Sequence, residues 1–304
     1  MRKPRALKEG DTVGVIAPAG PVDRERLKQG EKALNEMGFQ VKYDPSILDS
    51  FRYLAGSDQR RGEEVNRMFA DPEVQGIFCA RGGYGCARTL AFVDEEILKN
   101  NPKVFLGYSD ITSFLLYLYR RCSLVSFHGP MVTIDLYKPV TDKTRASLLN
   151  ALTVPKPPQD RVSLKILKGG FGEGILLGGC LSILVHSLGT PYEPDLRSKI
   201  LFLEDIDESP YRIDRMLTHL KNAGKLQQVA GLVFGEMKRC HPSAEEGYLL
   251  EEVISEVLQD LTVPILFGFP SGHTHEDNLT LPMGVRARID GEQGQLVILE
   301  SGVS

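Results

Sequence analysis

The sequence has 304 residues, of which 42% are hydrophobic and 25% charged, a balance that excludes a disordered or fibrous protein. A chain of this length exceeds what one hydrophobic core usually supports, so two domains are expected. The formal net charge of −4 disfavours a nucleic-acid partner, because such proteins carry a basic surface.

The first residues and the cysteines bear on the location of the protein. No apolar segment typical of a signal peptide follows Met-Arg-Lys, and no apolar run approaches the roughly 18 residues of a membrane span. The five cysteines are odd in number and widely spaced, without a C-x-x-C pair. This usage is typical of a reduced compartment. We therefore expect a cytoplasmic protein that does not contact a membrane.

The first half of the chain alternates strands and helices. Asp23 can cap a helix that ends near Gly38, and further helices are predicted over 63–69 and 111–120. The predicted strands are 12–17, 39–43, 76–80, 104–106 and 124–127. This βαβα order predicts an open parallel sheet flanked by helices.

A proline-rich segment at 154–160 (VPKPPQD) divides the two halves and predicts a linker over residues 154–165. Residues 1–153 then form an N-terminal α/β domain and residues 166–304 a C-terminal β-rich α/β domain. In the second half, strands are predicted at 200–203, 231–234 and 296–299. One helix has clear ends, with Ser209 as N-cap, Pro210 as first residue and Gly224 as stop.

A sharp turn between strand and helix is predicted around Ser109. The segment KVFLGYSDITSFLLYLYR runs from a buried strand through Gly107-Tyr108-Ser109-Asp110 straight into a helix. Such a turn exposes a nucleophilic hydroxyl at the carboxyl end of a sheet, and the N–H of Asp110 can serve an oxyanion. The motif is partial, since Ile111 stands where the hydrolase pattern G-x-S-x-G has glycine. The alternative is a Ser-Asp pair that merely caps the helix.

The glycine-rich loop Arg81-Gly82-Gly83-Tyr84-Gly85 follows the third strand. Glycine lets backbone N–H groups approach a ligand, so Gly83 is a candidate second oxyanion donor. Arg81 is a candidate for a forked contact with a substrate carboxylate, or else it braces the loop. Tyr84 is a second candidate substrate-binding residue. The phosphate-binding glycine patterns are absent, and an ordinary tight turn is the alternative.

A serine nucleophile needs a base and an orienting carboxylate. The predicted strand 200–203 ends in Glu204-Asp205, and His273 and His275 lie in the polar loop SGHTHEDN. The order Ser109, Glu204, His273 is that of serine hydrolases. A metal site at the two histidines is the alternative, although their i, i+2 spacing is not that of helical zinc ligands. His128, after another apolar strand, is a further candidate near the sheet edge.

Segments along nearly the whole chain resemble the serine LD-carboxypeptidases, a family that includes muramoyl-tetrapeptide carboxypeptidases and microcin C self-immunity proteins. The matching segments are GVIAPAGP (14–21), RGGYG (81–85), GYSDIT (107–112), HGPM (128–131), the Gly-Gly turn with LGTPY (178–192), FLEDIDESPYRIDRML (202–217) and SGHTHEDNLTLPMG (271–284).

The resemblance implies a catalytic triad of Ser109, Glu204 and His273, with the backbone of Gly83 and Asp110 as oxyanion hole. It implies release of the terminal D-Ala from peptidoglycan tetrapeptides through an acyl-enzyme, in a protein that needs neither metal nor cofactor and is often a homodimer. The expected partners are thus a small peptide and a second copy, not nucleic acid.

Two departures bear on this expectation. Cys180 stands where the family usually has asparagine, which puts a local turn contact in doubt. The chain has no Trp, whereas immunity-type members stack one on an adenylate, so the cell-wall role is favoured. The alternatives are a peptidase for an aspartyl-adenylate-like amide and a non-catalytic protein that binds a small anionic ligand.

Overall fold

A computed structural model describes residues 1–304, apart from the side chain of residue 244. The strands, in chain order, are β1 (Thr12–Ile16), β2 (Gln40–Lys42), β3 (Val74–Cys79), β4 (Val104–Leu106), β5 (Ser126–His128), β6 (Lys165–Lys168), β7 (Phe171–Cys180), β8 (Lys199–Glu204), β9 (Gly231–Gly235), β10 (Ile265–Phe269), β11 (Leu281–Met283), β12 (Arg286–Asp290) and β13 (Gln295–Ile298).

The helices are α1 (Arg24–Glu36), α2 (Asp58–Ala70), α3 (Cys86–Thr89), α4 (Glu95–Asn100), α5 (Thr112–Cys122), α6 (Asp142–Thr153), α7 (Leu181–His186), α8 (Pro210–Asn222) and α9 (Leu250–Val257). Asp23 caps α1 through its side chain. Ser209 occupies the N-cap position of α8, but its side chain donates or accepts no capping bond among the described residues. No helix in the described part of the chain is long and apolar enough to cross a membrane.

The first sheet has the order β11-β5-β4-β3-β1-β2. Strands β1 to β5 pair in parallel, and the residues of β1, β3, β4 and β5 are almost all buried because helices cover both faces of the sheet. The sixth strand, β11, comes from the second half of the chain and pairs antiparallel with β5. The predicted N-terminal parallel sheet is confirmed, with an edge strand supplied by the C-terminal half.

The second sheet has the order β13-β12-β7-β8-β9-β10-β6. Its centre, β7 to β10, is parallel, and β6, β12 and β13 are antiparallel additions. This mixed sheet with its helices confirms the predicted β-rich α/β second half. The division of the chain at residues 154–165 stays a prediction.

The two sheets meet where several strands end. Strand β10 belongs to the second sheet and β11 to the first, so the loop between them, residues 270–280, crosses from one sheet to the other. The carboxyl ends of β4 and β8 lie beside this crossing loop, since Tyr108 and Glu204 both contact His273. Because parallel strands gather their carboxyl ends at one edge, this is where a site is expected in an open α/β sheet.

Candidate active site

Ser109 lies directly after β4 in a strained turn. Its backbone φ is +65°, a left-handed value that non-glycine residues adopt rarely and that is typical of nucleophile elbows. A single 3-10 turn (Ser109–Ile111) leads into α5. The N-cap residue of α5 is Ile111, and within the described residues no side chain caps that helix. The geometry therefore favours the exposed-hydroxyl turn over a capping role for Ser109.

The carboxylate of Asp110 connects this turn to the glycine-rich loop. Its Oδ2 accepts a hydrogen bond of 2.8 Å from the backbone N–H of Cys86, the first residue of α3. Burial raises the pKa of Asp110, while the hydrogen bonds from Cys86 oppose that change. The side chain of Asp110 thus holds the end of the loop against the nucleophile turn and leaves its own N–H beside Ser109.

Gly82 packs closely against Ser109, and Gly83 lies next to it in the loop, facing Gly20. A methyl group placed on Gly82 would lie 3.0 Å from Ser109 Oγ and 3.3 Å from the N atom of Asp110. Gly83 is exposed and has a φ of +113°. Glycine at position 82 lets the loop come this close to the hydroxyl, and glycine at position 83 permits the left-handed backbone.

Arg81 and Tyr84 flank the two glycines. The guanidinium of Arg81 donates to the carbonyl oxygens of Gly82 (3.3 Å) and Pro21 (3.2 Å), which favours its role in bracing the loop. Tyr84 is 52% exposed and packs edge-on against Tyr53 at a ring distance of 5.8 Å. Its ring borders a cavity of about 330 Å³ that also reaches Asp110.

Glu204, which is fully buried, and His273, which is partly buried, form a pair at the junction of the sheets. Glu204, the last residue of β8, accepts two hydrogen bonds at Oε2, one from Nδ1 of His273 (2.7 Å) and one from the backbone N–H of His273 (3.0 Å). A carboxylate can only accept, so Nδ1 carries the proton and Nε2 is left free as a base.

The pair shifts the pKa of both partners. Burial by itself would raise the pKa of Glu204, but His273 and His128 outweigh it and hold that pKa well below its usual range. Burial likewise acts to lower the pKa of His273, and the charge of Glu204 overcomes it and raises that pKa above its ordinary value. The pair is therefore built to stabilise an imidazolium.

Tyr108 joins the pair to the nucleophile turn. Its buried ring packs edge-on against the ring of His273, with centroids 5.0 Å apart, and it immediately precedes Ser109 in the chain. Among the hydrogen bonds of the described residues, none joins Ser109 directly to His273. Both adjoin Tyr108, Ser109 along the chain and His273 through its ring. Catalytic hydrogen bonds of this kind often tighten only with substrate.

The crossing loop that carries His273 is closed by Asn278. Its side-chain oxygen accepts from the N–H of Gly272 (2.9 Å), and its amide donates to Asp135 (3.3 Å). These residues, with Tyr108 and His273, border a cavity of about 400 Å³ between the two sheets. Tyr108, Asp135 and Asn278 were not singled out from the sequence, although Tyr108 and Asn278 lie within segments that were.

The second histidine of the loop, His275, has a partner of its own. Its Nδ1 and its backbone N–H both bond to Oε2 of Glu236, each at 2.7 Å, at the exposed end of the loop. The two histidines that suggested a metal site from sequence therefore hold different carboxylates, and only His273 faces Glu204.

Cys180 ends β7 opposite Glu204 and is buried. Its N–H donates to Oγ1 of Thr112 (3.0 Å), and its Sγ lies 3.2 Å from Oγ of Ser182 and 3.5 Å from Oδ1 of Asp205. Burial raises the pKa of the thiol well above its usual value. A buried, protonated thiol is not a nucleophile.

Comparisons with known proteins identify the family of the chain. Residues 13–129 match the LD-carboxypeptidase N-terminal domain, and residues 173–289 match the LD-carboxypeptidase C-terminal domain. A probable murein peptide carboxypeptidase of Bacillus subtilis is 40% identical over 99% of this chain and 95% of its own.

Two solved structures share the fold. The muramoyltetrapeptide carboxypeptidase of Oxalobacter formigenes has a TM-score of 0.83 at 32% identity, covering 95% of this chain and 99% of its own. The microcin C7 self-immunity protein MccF with aspartyl sulfamoyl adenosine has a TM-score of 0.90 at 26% identity, covering 100% of both chains. The chain belongs to the LD-carboxypeptidase family, and the predicted enzyme class, a serine-type carboxypeptidase, is confirmed.

Proposed function

We propose that this enzyme is a cytoplasmic LD-carboxypeptidase that releases the terminal D-Ala from murein tetrapeptides, and that it acts as a homodimer. The observation that carries the proposal is the 2.7 Å bond between Glu204 and His273 beside the strained turn of Ser109. The similarity over nearly the full length to a probable murein peptide carboxypeptidase supports the substrate class.

In the proposed mechanism, Ser109 Oγ attacks the carbonyl carbon of the scissile peptide bond while Nε2 of His273 takes its proton. Glu204 holds the imidazole through Nδ1 and stabilises the imidazolium. His273 then protonates the leaving amine of D-Ala, which leaves an acyl-enzyme on Ser109. Water attacks this ester, with His273 again as base, and releases the shortened peptide.

The developing oxyanion is received by the backbone N–H groups of Gly83 and Asp110. Donors of this kind typically contribute about 3–4 kcal/mol each to transition-state stabilisation. Two features support this assignment, namely the close packing of Gly82 on Ser109 and the tether between Asp110 and Cys86. Tyr84, exposed at the rim, is placed to contact substrate, and Arg81 acts through the shape of the loop.

A second candidate function is cleavage of an aminoacyl-adenylate-like amide, which the likeness to MccF favours. The cavity of about 400 Å³ beside His273 has a volume typical of small-molecule sites and does not by itself discriminate between the two substrates. The absence of Trp from the sequence weighs against aromatic stacking on an adenine by that residue.

The test is a substrate panel with product identification by mass spectrometry. The purified enzyme is given an LD-tetrapeptide, a DD-pentapeptide and an aspartyl-adenylate analogue. We expect release of D-Ala from the LD-tetrapeptide only, and its loss in Ser109→Ala. Cleavage of the adenylate analogue alone would favour the second function, and full activity of Ser109→Ala would refute the triad.

His275→Ala is a matched control for His273→Ala. Both histidines bond through Nδ1 to a glutamate at 2.7 Å in the same loop, but only His273 faces Glu204. We expect His273→Ala to abolish the acyl-enzyme and His275→Ala to retain it. Equal losses in the two variants would show that loop integrity, and not a base at residue 273, is what the reaction needs.

A further inference from the structure

The further inference concerns His128, the last residue of β5, which the mechanism above does not use. Its side chain is fully buried. Nδ1 lies 2.9 Å from Oγ of Ser271, the residue that begins the polar part of the crossing loop. The hydroxyl of Ser271 can donate to Nδ1, and this places the imidazole proton on Nε2.

Nε2 of His128 faces the oxygen of Glu204 that His273 leaves free. The distance between Nε2 and Oε1 of Glu204 is 3.7 Å, slightly beyond a hydrogen bond, and both side chains have no solvent exposure. Among the described residues, neither of these two atoms has another hydrogen-bond partner. An unpaired buried carboxylate oxygen is costly. A hydrogen bond from the facing N–H of His128 would remove this cost.

The imidazole of His128 is fixed in this direction by its packing. Its ring lies edge-on against Phe202, with centroids 5.1 Å apart, and 5.9 Å from the ring of Tyr108. A methyl group on Gly272 would come within 2.8 Å of Cε1 of His128, so the loop closes over the ring. The ring therefore cannot turn away without moving the elements that carry the site.

We propose that His128 is a positioning residue that brackets the catalytic carboxylate. Ser271 fixes the tautomer of His128, Nε2–H of His128 closes on Oε1 of Glu204, and Oε2 is held for His273. The carboxylate is thereby kept ionised and in one rotamer, so that the imidazole of His273 keeps its orientation. This inference rests on the proposed roles of Glu204 and His273.

Substitutions at residue 128 separate the effect of the N–H donor from the effect of the ring shape. His128→Phe keeps an aromatic ring without a donor, whereas His128→Gln keeps an N–H donor at the position of Nε2. We expect kcat to fall about 10–100-fold in His128→Phe. Loss of a hydrogen-bond partner of a metal-ligating side chain has an effect of this size in metalloenzymes. KM should change less than about twofold, because substrate binding is not touched. His128→Gln should recover most of the lost kcat.

Two further variants complete the set. Ser126→Ala removes a buried hydroxyl of the same strand that has no hydrogen-bond partner among the described residues, and it should leave kcat as it is. Ser271→Ala removes the group that fixes the tautomer and should lower kcat by a smaller factor than His128→Phe. It also keeps the proposal testable if His128→Phe does not fold.

A readout without substrate distinguishes failure of this proposal from failure of the proposed function. The downfield proton resonance of Nδ1–H in His273 reports its bond to Glu204. We expect it to be displaced or lost in His128→Phe and retained in His128→Gln and Ser126→Ala. An unchanged resonance in His128→Phe, or equal losses of kcat in the Phe and Gln variants, would overturn the proposal even in an active enzyme.

Discussion

Gly272 precedes His273 and permits a close approach of the crossing loop to Glu204. Its φ is +89°, and a methyl group there would lie 2.7 Å from Cδ and 2.8 Å from Oε2 of Glu204. Non-bonded carbon atoms prefer about 3.5–4.0 Å, so Gly272→Ala must displace the carboxylate or the loop by roughly 1 Å. A misplacement of about 1 Å can cost about 100-fold in rate, and we expect a loss of kcat of that size.

The same substitution should also destabilise the protein. Left-handed strain at a non-glycine residue costs about 1–3 kcal/mol. Crowding in a packed interior adds about 1–3 kcal/mol. Gly268→Ala is a matched control, because Gly268 has a similar φ of +95° and open space where the methyl would lie. Urea unfolding should therefore show a loss from strain alone in Gly268→Ala and a larger loss in Gly272→Ala.

The assay compares kcat on the LD-tetrapeptide with the free energy of unfolding for both variants. If Gly272→Ala loses no more activity than Gly268→Ala, the close packing of the loop on Glu204 does not position the triad. If both variants lose kcat in proportion to their loss of unfolding free energy, that result would also contradict the positioning role.

Two further predictions concern the buried charges. Because Glu204 raises the pKa of His273 and His273 must be neutral to act as base, kcat/KM should rise with pH through a pKa above 6.5, and Glu204→Gln should move this limb to lower pH. The raised pKa of His273 also adds to the free energy of unfolding. This contribution is fully present below the unfolded pKa of about 6.5 and is lost as the pH rises through the folded pKa. Urea unfolding at several pH values checks it. Arg61→Met removes a fully buried guanidinium that donates to Pro18 O and pairs with Asp58, so it should cost about 1.5–3 kcal/mol in urea unfolding. Arg88→Met removes a 44% exposed partner of the same Asp58 and should cost less than about 1 kcal/mol; equal costs would contradict this reasoning.

Much of the local structure could be predicted because it depends on neighbouring residues. The strand, turn and helix around Ser109 are encoded within one short segment, and β4 (Val104–Leu106) lies where it was predicted. Asp23 and Pro210 mark the first turns of α1 and α8 because capping and the fixed φ of proline are local effects.

The partners within the site could not be chosen from residue types alone. Glu204 and Asp205 are adjacent acids at a strand end, and His273 and His275 are two histidines in one loop. Successive side chains of a strand point to opposite faces, so Glu204 faces His273, whereas Asp205 accepts from the N–H of Ser182 at the start of α7. The side on which each acid falls depends on how β8 pairs with its neighbours.

The role of Arg81 also depended on distant contacts. An arginine beside a glycine-rich loop is a natural carboxylate binder, but Nε and one terminal nitrogen of Arg81 donate to the carbonyl oxygens of Gly82 and Pro21, and its role toward substrate stays a prediction. Pro21 lies about 60 residues away in the chain. His128 was recognised only as a histidine near a sheet edge, because its contact with Glu204 joins residues from different sheets.

The sequence by itself determined the α/β class, the strained serine turn, the glycine loop and the set of candidate acids and bases, since each follows from composition, periodicity or adjacent residues. Only the tertiary structure decided that β11 joins the first sheet while β10 belongs to the second. This crossing carries His273 over to Glu204 and packs Gly272 against Glu204. Such an arrangement is set by long-range strand pairing and packing, which no local pattern specifies.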